Sequence, residues 1–228
     1  MVRATRDPRR RGYRCRVPAP RVLVLDHGTG DATGLVVALE RAGADVVLSA
    51  DKRAATEADG LVIVGDGDLA SLMDGLRAVG AEQVVDRRLA GGRAVLAVDV
   101  GLHAMFTGPG GEGLAEWPGT VDEHVHDGWS AVEVPEGSVL FAGLQDASFR
   151  FAHAYAARRF PLLETWPEDT RLRAPVVVWA RHADPFVAAV ENGPLTALQL
   201  RPELSGDAGA TVLTRWVESL NATGENRA

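Results

Sequence analysis

Cysteine is almost absent from this chain of 228 residues, in which Cys15 is the single example. A lone cysteine excludes an internal disulfide, and its place near the start leaves the body of the chain without a thiol nucleophile. Long apolar runs are also absent, because none reaches the roughly 18 residues that a membrane-spanning helix needs. No apolar segment of a secretory signal follows the basic N-terminal residues. We therefore expect the protein to be cytoplasmic.

Negative charge exceeds positive charge, giving a formal net charge of −7, but the two signs are unevenly distributed. Residues 1–21 contain eight arginines and one aspartate, so the remainder carries −14. An arginine-rich arm can bind nucleic acid, but the acidic remainder would repel phosphate. We therefore predict that residues 1–20 are a disordered leader, or arise from a start codon assigned too early. We expect the protein to bind neither nucleic acid nor a membrane.

The remaining composition, with 46% hydrophobic and 24% charged residues, is that of an ordinary globular protein. This length allows one large α/β domain or two small ones, each able to bury a core. We predict one domain over residues 21–220, followed by a tail over residues 221–228.

Short apolar runs alternate with helical patterns through the first hundred residues. The runs that predict buried strands lie at residues 21–26, 45–48, 60–64 and 95–98, and the helical patterns lie at residues 34–42 and 69–79. Strands separated by helices usually form a parallel sheet with helices on both faces. This part of the chain therefore predicts a mostly parallel sheet.

After residue 107 the pattern changes to an alternation of period two. Segments 130–134, 176–181, 186–191 and 195–200 predict antiparallel strands, and residues 207–220 predict a closing helix. The predicted fold class is therefore α/β, a mostly parallel sheet flanked by helices with an added antiparallel strand section.

Two segments place polar residues where a sheet of this kind forms a site. Residues 94–106 have the pattern of a strand, a tight turn at Asp99 and a helix, and residues 197–209 have the pattern of a strand end, a loop and a helix start. Five further segments belong to the same pattern, and they occur along the chain in the order of the family that they resemble: 26–31 (DHGTGD), 64–67 (VGDG), 113–121 (GLAEWPGTV), 125–130 (VHDGWS) and 151–155 (FAHAY). Together these segments resemble the class I glutamine amidotransferases, and among them the glutaminase subunit of imidazole glycerol phosphate synthase.

This resemblance implies a flavodoxin-like fold and a site that hydrolyses glutamine with a cysteine, a histidine and a glutamate. It also implies a heterodimer with a (β/α)₈-barrel cyclase of histidine biosynthesis, which receives the ammonia. In this sequence the three catalytic positions hold Asp99, Arg201 and Glu203. The positions that the resemblance assigns to substrate binding hold Gly65, Gly67, Val100, Gly101 and His103.

The residue types at these positions predict that glutamine hydrolysis has been lost. A carboxylate nucleophile would form an anhydride, which an amide substrate cannot readily generate, and Arg201 stays protonated and cannot act as a base. Asp66 and Asp68 stand beside the glycines of the oxyanion strand, where negative charge has the wrong sign for stabilising an oxyanion. His103 replaces a glutamine of the family, and Leu204 replaces a lysine.

The paired change at Asp99 and Arg201 suggests an ion pair across the site, with Glu203 as a second acceptor for the guanidinium. An unpaired buried charge would be costly, whereas a paired and hydrogen-bonded one is roughly neutral. The alternative is that both positions drifted to tolerated surface residues.

The histidines outside the leader have no spacing typical of metal ligands, so we predict core or surface roles for them, and neither a metal nor a cofactor. We predict a non-catalytic partner of the cyclase. Two alternatives remain open, a repurposed enzyme that uses Asp99 as base or nucleophile, and a regulatory protein that binds a metabolite in the altered pocket.

Overall fold

A nine-stranded sheet organises the computed structural model, which describes residues 18–108, 110–167, 170 and 172–225, with side chains as far as residue 221. The strands are β1 (Arg21–Leu25), β2 (Asp45–Ser49), β3 (Gly60–Gly65), β4 (Ala94–Asp99), β5 (Asp122–Glu133), β6 (Ser148–Ala156), β7 (Val176–His182), β8 (Asp184–Asn192) and β9 (Leu195–Leu198). The helices are α1 (Thr33–Arg41), α2 (Lys52–Glu57), α3 (Leu69–Ala78), α4 (Ala81–Ala90), α5 (Val100–Met105), α6 (Pro161–Glu164) and α7 (Gly206–Glu225), with a 3₁₀ helix at Pro202–Leu204. The strand order is β2-β1-β3-β4-β9-β8-β7-β5-β6.

The first five strands of this order, β2, β1, β3, β4 and β9, are parallel to one another. Their inner members are buried on both faces, which explains the continuous apolar runs in their sequences. Alternate residues enter two separate cores. Val22 packs in the core beneath α1 and α7, whereas Leu23 packs in the core beneath α2, α3, α4 and α5. The predicted α/β fold, with helices on both faces of the sheet, is confirmed.

The other four strands continue the sheet in antiparallel pairing from β9 through β8, β7 and β5 to β6. Strand β5 pairs with β6 along most of its length but with β7 only at Val132↔Ala180 and Glu133↔Trp179. Strands β5 and β6 therefore form a two-stranded ribbon, the β5–β6 ribbon, that leaves the main sheet at one end.

Besides the 3₁₀ helix, four of the described elements have no counterpart in the sequence-based prediction: the helices α2, α4 and α6 and the strand β6. Helix α7 also runs to Glu225, so the predicted tail over residues 221–228 begins inside a helix. Residues 1–17 of the predicted leader lie outside the described residues. None of the described helices is long and apolar enough to cross a membrane.

Helix α4 carries a fully buried arginine, Arg88, beneath the parallel strands. Its Nη1 donates to the carbonyl oxygens of Ala55 and Ala58 at 2.8 and 2.9 Å, and its Nη2 donates to Ala94 O at 2.7 Å. The first two carbonyls belong to the end of α2, where a helix leaves its last acceptors without intrahelical partners. Arg88 therefore joins α2, α4 and β4 through backbone acceptors.

Candidate functional site

The end of β4 forms a sharp turn that places one side chain at the carboxyl edge of the parallel strands. Asp99 occupies this turn with φ 58° and ψ −119°, a backbone conformation that is uncommon for a residue with a Cβ. Helix α5 follows immediately and lies close to the sheet, because a Cβ on Gly101 would stand 2.5 Å from Ile63 O. The strand–turn–helix geometry of a nucleophile position is therefore present, with a carboxylate at its apex.

The end of β9 lies beside this turn, because Val98 pairs with Leu198 in parallel register. The next residue on that side is Gln199, which is fully buried. Its Nε2 donates to Asp99 Oδ1 at 3.4 Å, and its Oε1 lies 2.6 Å from His103 Nε2. Sequence reasoning did not single out Gln199. The signal available was its place one residue beyond a strand end, opposite Asp99.

Asp99 is 4% exposed, so it is not a tolerated surface residue. The pKa of its carboxyl is raised to about 7, chiefly by burial; the charge of Arg201 acts against this shift, and the nearby charges of Glu203 and Asp66 add to it. At neutral pH the carboxyl is therefore divided between its protonated and ionised forms.

The expected ion pair between Asp99 and Arg201 is not the one that forms. Arg201 Nε instead contacts Glu203 Oε1 at 2.9 Å, two residues along the same loop. The 3₁₀ helix brings Glu203 back beside the guanidinium, so the local acceptor satisfies Arg201. Asp99 interacts with Arg201 only through space. The second oxygen of Glu203, Oε2, is buried without a hydrogen-bond partner among the described residues.

His103 lies on α5 and is buried, with its ring against Gln199. Burial lowers the pKa of His103 to about 4, although the hydrogen bonds with Gln199 and with the Tyr155 backbone favour the charged form. The ring is therefore neutral at pH 7. The contact of 2.6 Å between His103 Nε2 and Gln199 Oε1 leaves the two side chains paired with one another.

A cavity of about 410 Å³ opens over Asp99. Its lining comprises Asp66, Gly67, Asp99, Val100, His103, Asp127, Ala152, His153, Ala154, Tyr155 and Arg201. A second cavity of about 440 Å³ adjoins it and shares Gly67, His103 and Tyr155 with it. One wall of the first cavity thus belongs to β4 and α5, and the other belongs to the β5–β6 ribbon. Tyr155, Asp127 and His153 were not among the predicted site residues.

The remaining predicted positions surround the turn. Gly65 pairs with Asp99 in the sheet, and Gly67, at φ 89°, lines both cavities. Asp66 also lines the first cavity, but Asp68 caps α3 by accepting from Ser71 N at 2.8 Å. Asp68, which the sequence analysis placed beside the glycines of the oxyanion strand, therefore has a structural role as the cap of α3.

Four histidines gather on the inner face of β5, β6 and β7, next to the cavity. The rings of His126 and His182 stack with centroids 4.1 Å apart, and His153 lies 5.6 Å from His126 and 5.9 Å from His124. Within the described part of the chain, His124 Nε2, His126 Nδ1 and His153 Nε2 are buried without hydrogen-bond partners. No group of three or more described His, Cys, Asp or Glu side chains is arranged to hold a metal ion.

The solved structures to which this fold is similar define its class. A crystal structure of a glutamine amidotransferase matches with a TM-score of 0.65 at 24% identity, over 88% of this chain and 98% of that one. The glutaminase domain of Trypanosoma brucei CTPS with bound acivicin matches with a TM-score of 0.60 at 16% identity, over 90% and 94%. The fold is that of the class I glutamine amidotransferases.

Relatives in sequence identify the family within this fold class. Imidazole glycerol phosphate synthase subunit HisH of Leifsonia xyli subsp. xyli is 49% identical over 87% of this chain and 98% of its own length. The same subunit of Nocardia farcinica is 48% identical over 87% and 98%. No family model matches the chain. The chain belongs to the family of imidazole glycerol phosphate synthase subunit HisH.

Proposed function

We propose that this protein is a non-catalytic HisH-type subunit, which binds the barrel cyclase of imidazole glycerol phosphate synthase in the cytoplasm and does not hydrolyse glutamine. The observation that carries the proposal is the carboxyl of Asp99 at the apex of an intact nucleophile turn. The names of the relatives support a place in histidine biosynthesis.

The chemistry of the site supports the loss of hydrolysis. Amide cleavage by this route needs a strong nucleophile and a base that can take its proton. Asp99 offers a weak nucleophile that is partly protonated near pH 7. The base position holds Arg201, a permanent cation already hydrogen-bonded to Glu203. His103 does not replace that base, because its ring is buried and paired with Gln199.

The surface beside the cavity supports a retained partner. Trp129 is 56% exposed on the β5–β6 ribbon, and Val125 and Tyr155 are exposed on the same ribbon. Large aromatic side chains of this kind dominate the energetics of protein interfaces. The same ribbon forms one wall of the cavity.

The experiment mixes the purified full-length chain with the barrel cyclase of the same organism and follows complex formation and glutamate release. We expect a one-to-one complex at micromolar concentration, no glutamate from glutamine, and cyclase activity with free ammonia. Trp129→Ala should weaken the complex at least about tenfold, whereas Val139→Ala, an exposed apolar residue outside the ribbon, should not. Glutamate release that Asp99→Ala removes, or no complex at all, would contradict the proposal.

One observation favours a second function, a metabolite-binding regulatory role or a changed chemistry in the altered cavity. A buried carboxyl with a pKa of about 7 is suited to bind a charged ligand or to transfer a proton. A regulatory role is compatible with cyclase binding and depends on what the cavity accepts.

A further inference from the structure

The cavity over Asp99 is lined by buried polar atoms that accept hydrogen bonds. Asp99 is 96% shielded from solvent, and among the described residues its carboxylate receives one long hydrogen bond, from Gln199 Nε2 at 3.4 Å. A carboxylate has about four acceptor positions. Most of the acceptor capacity of Asp99 is therefore unused where it meets the cavity.

His153 supplies a second, independent acceptor. It is 9% exposed, lines the same cavity, and its Nδ1 lies 3.0 Å from His124 O. A carbonyl oxygen accepts only, so Nδ1 carries the proton of the neutral ring and Nε2 carries a lone pair. Burial lowers the pKa of His153 to about 3, which keeps the ring neutral. Nε2 is buried with no partner in the part of the chain that the structure describes.

The charges around the cavity are mostly negative. Asp66, Asp99 and Glu203 face a single guanidinium, that of Arg201, and Glu203 already binds its Nε. Asp127 also lines the cavity, but it is paired with Arg150 on the neighbouring strand. An anionic ligand would therefore meet net repulsion, whereas a cation that carries N–H donors would satisfy both the charge and the unused acceptors.

We propose that the cavity binds a small protonated amine, whose ammonium group donates hydrogen bonds to the Asp99 carboxylate and to His153 Nε2 near the charge of Asp66. This assignment deepens the proposed function, because it gives a ligand class to the same altered cavity. The volume of about 410 Å³ accommodates an ammonium group with a short alkyl chain.

Binding of a cation at this site is coupled to the ionisation of Asp99. The carboxyl, with its pKa of about 7, must release its proton to accept both charge and hydrogen bonds. Affinity should therefore rise between pH 6 and pH 8 and approach a plateau above it. His103 and His153, whose pKa values are lowered to about 4 and about 3, stay neutral through this range.

The experiment is calorimetric titration of the full chain with n-butylammonium near pH 6 and pH 8. Tetramethylammonium, a cation without N–H donors, and n-butanol, an uncharged chain of the same length, serve as matched ligands. We expect n-butylammonium to bind at least about tenfold more tightly than either, the equivalent of one charge-assisted hydrogen bond. Equal binding of tetramethylammonium, or no binding of n-butylammonium, would overturn the proposal.

Four variants locate the site. Asp99→Asn, which keeps the shape and the Gln199 contact, should lower affinity at least about tenfold and remove the pH dependence. His153→Phe should lower the affinity for n-butylammonium about fivefold. Asp66 is exposed, so Asp66→Asn should fold and should also weaken binding, which tests the site if either buried variant fails to fold. Asp45→Asn, at the far edge of the sheet, controls for net charge. Unchanged affinity for n-butylammonium in Asp99→Asn would refute the assignment. Glutamate release and cyclase binding are measured in separate experiments, so the failure of amine binding can be distinguished from the failure of the proposed function.

Discussion

The parallel and antiparallel parts of this sheet treat buried polar groups differently. In the parallel part, Arg88 donates to carbonyls of α2 and β4, and Gln199 joins Asp99 to His103. In the antiparallel part, three histidines each keep a buried ring nitrogen without a partner among the described residues. Buried polar groups in native proteins are usually satisfied, so these unpartnered ring nitrogens set the antiparallel strands apart from the parallel ones.

The largest effect is expected where the parallel part depends on one side chain. Arg88→Met keeps much of the apolar stem but removes the hydrogen bonds to Ala55, Ala58 and Ala94, leaving buried carbonyls without donors. We expect a loss of about 3–5 kcal/mol in the free energy of unfolding, measured by urea titration. Arg87→Met, on the exposed face of the same helix, should change it by less than about 0.5 kcal/mol. If Arg87→Met destabilised the protein as much as Arg88→Met, the structural role of Arg88 in the parallel part would be excluded.

The boundary between the two parts, where the loop after β9 meets β6, should give a smaller effect. Arg201→Ala leaves Glu203, whose side chain is 8% exposed, without its cation. We expect about 2–3 kcal/mol of destabilisation, partly recovered by adding Glu203→Gln. A double-mutant cycle should give a larger coupling for Arg201 with Glu203 than with Asp99. A larger coupling of Arg201 with Asp99 would instead support the ion pair between these two residues that the sequence suggested.

The antiparallel part should respond to acid through its histidines. Burial, and then the charge of His182, lowers the pKa of His126 to about 4, so the folded state binds fewer protons than the unfolded state. Stability is therefore full above the ordinary histidine pKa of about 6.5 and is lost as pH falls from there toward 4. His126→Phe should reduce the loss measured by urea unfolding between pH 7.5 and pH 5 by about 1–2 kcal/mol. His182→Phe, at an exposed ring, should reduce it less, and an unchanged slope in His126→Phe would exclude this origin.

The same contrast explains which elements could be predicted from the sequence. Strands β1, β3 and β4 were predictable because they are buried on both faces and read as apolar runs. Helix α4 was missed because one of its four buried positions is an arginine, which breaks the apolar stripe. Helix α2 buries only Ala55 and has no stripe to detect. Strand β6 alternates clearly at Phe149 and Phe151, but the inward position that follows is His153.

In the candidate site, the turn at Asp99 could be predicted from the sequence, but the contacts of the side chains around it could not. Apolar residues before Asp99 and the small Gly101 after it predicted a strand, a turn and a closely packed helix, which the structure contains. The role of Gln199 depends on β9 lying beside β4, a pairing between segments about a hundred residues apart. The Arg201–Glu203 pair depends on a 3₁₀ helix of three residues, which is too short to leave a periodic pattern.

The β5–β6 ribbon has a mechanical consequence for the cavity. It is joined to the main sheet at Val132 and Glu133, and near that joint Arg201 N bonds to Arg150 O at 2.9 Å. Just after β6, Ala157 O accepts a hydrogen bond from Val187 N of β8 at 2.8 Å, so the wall that carries His153 and Tyr155 is fixed at both of its ends. The opposite wall, around Asp99, is held between β3 and β9. Both walls are therefore attached to the main sheet, which makes the width of the cavity a property of the fold itself.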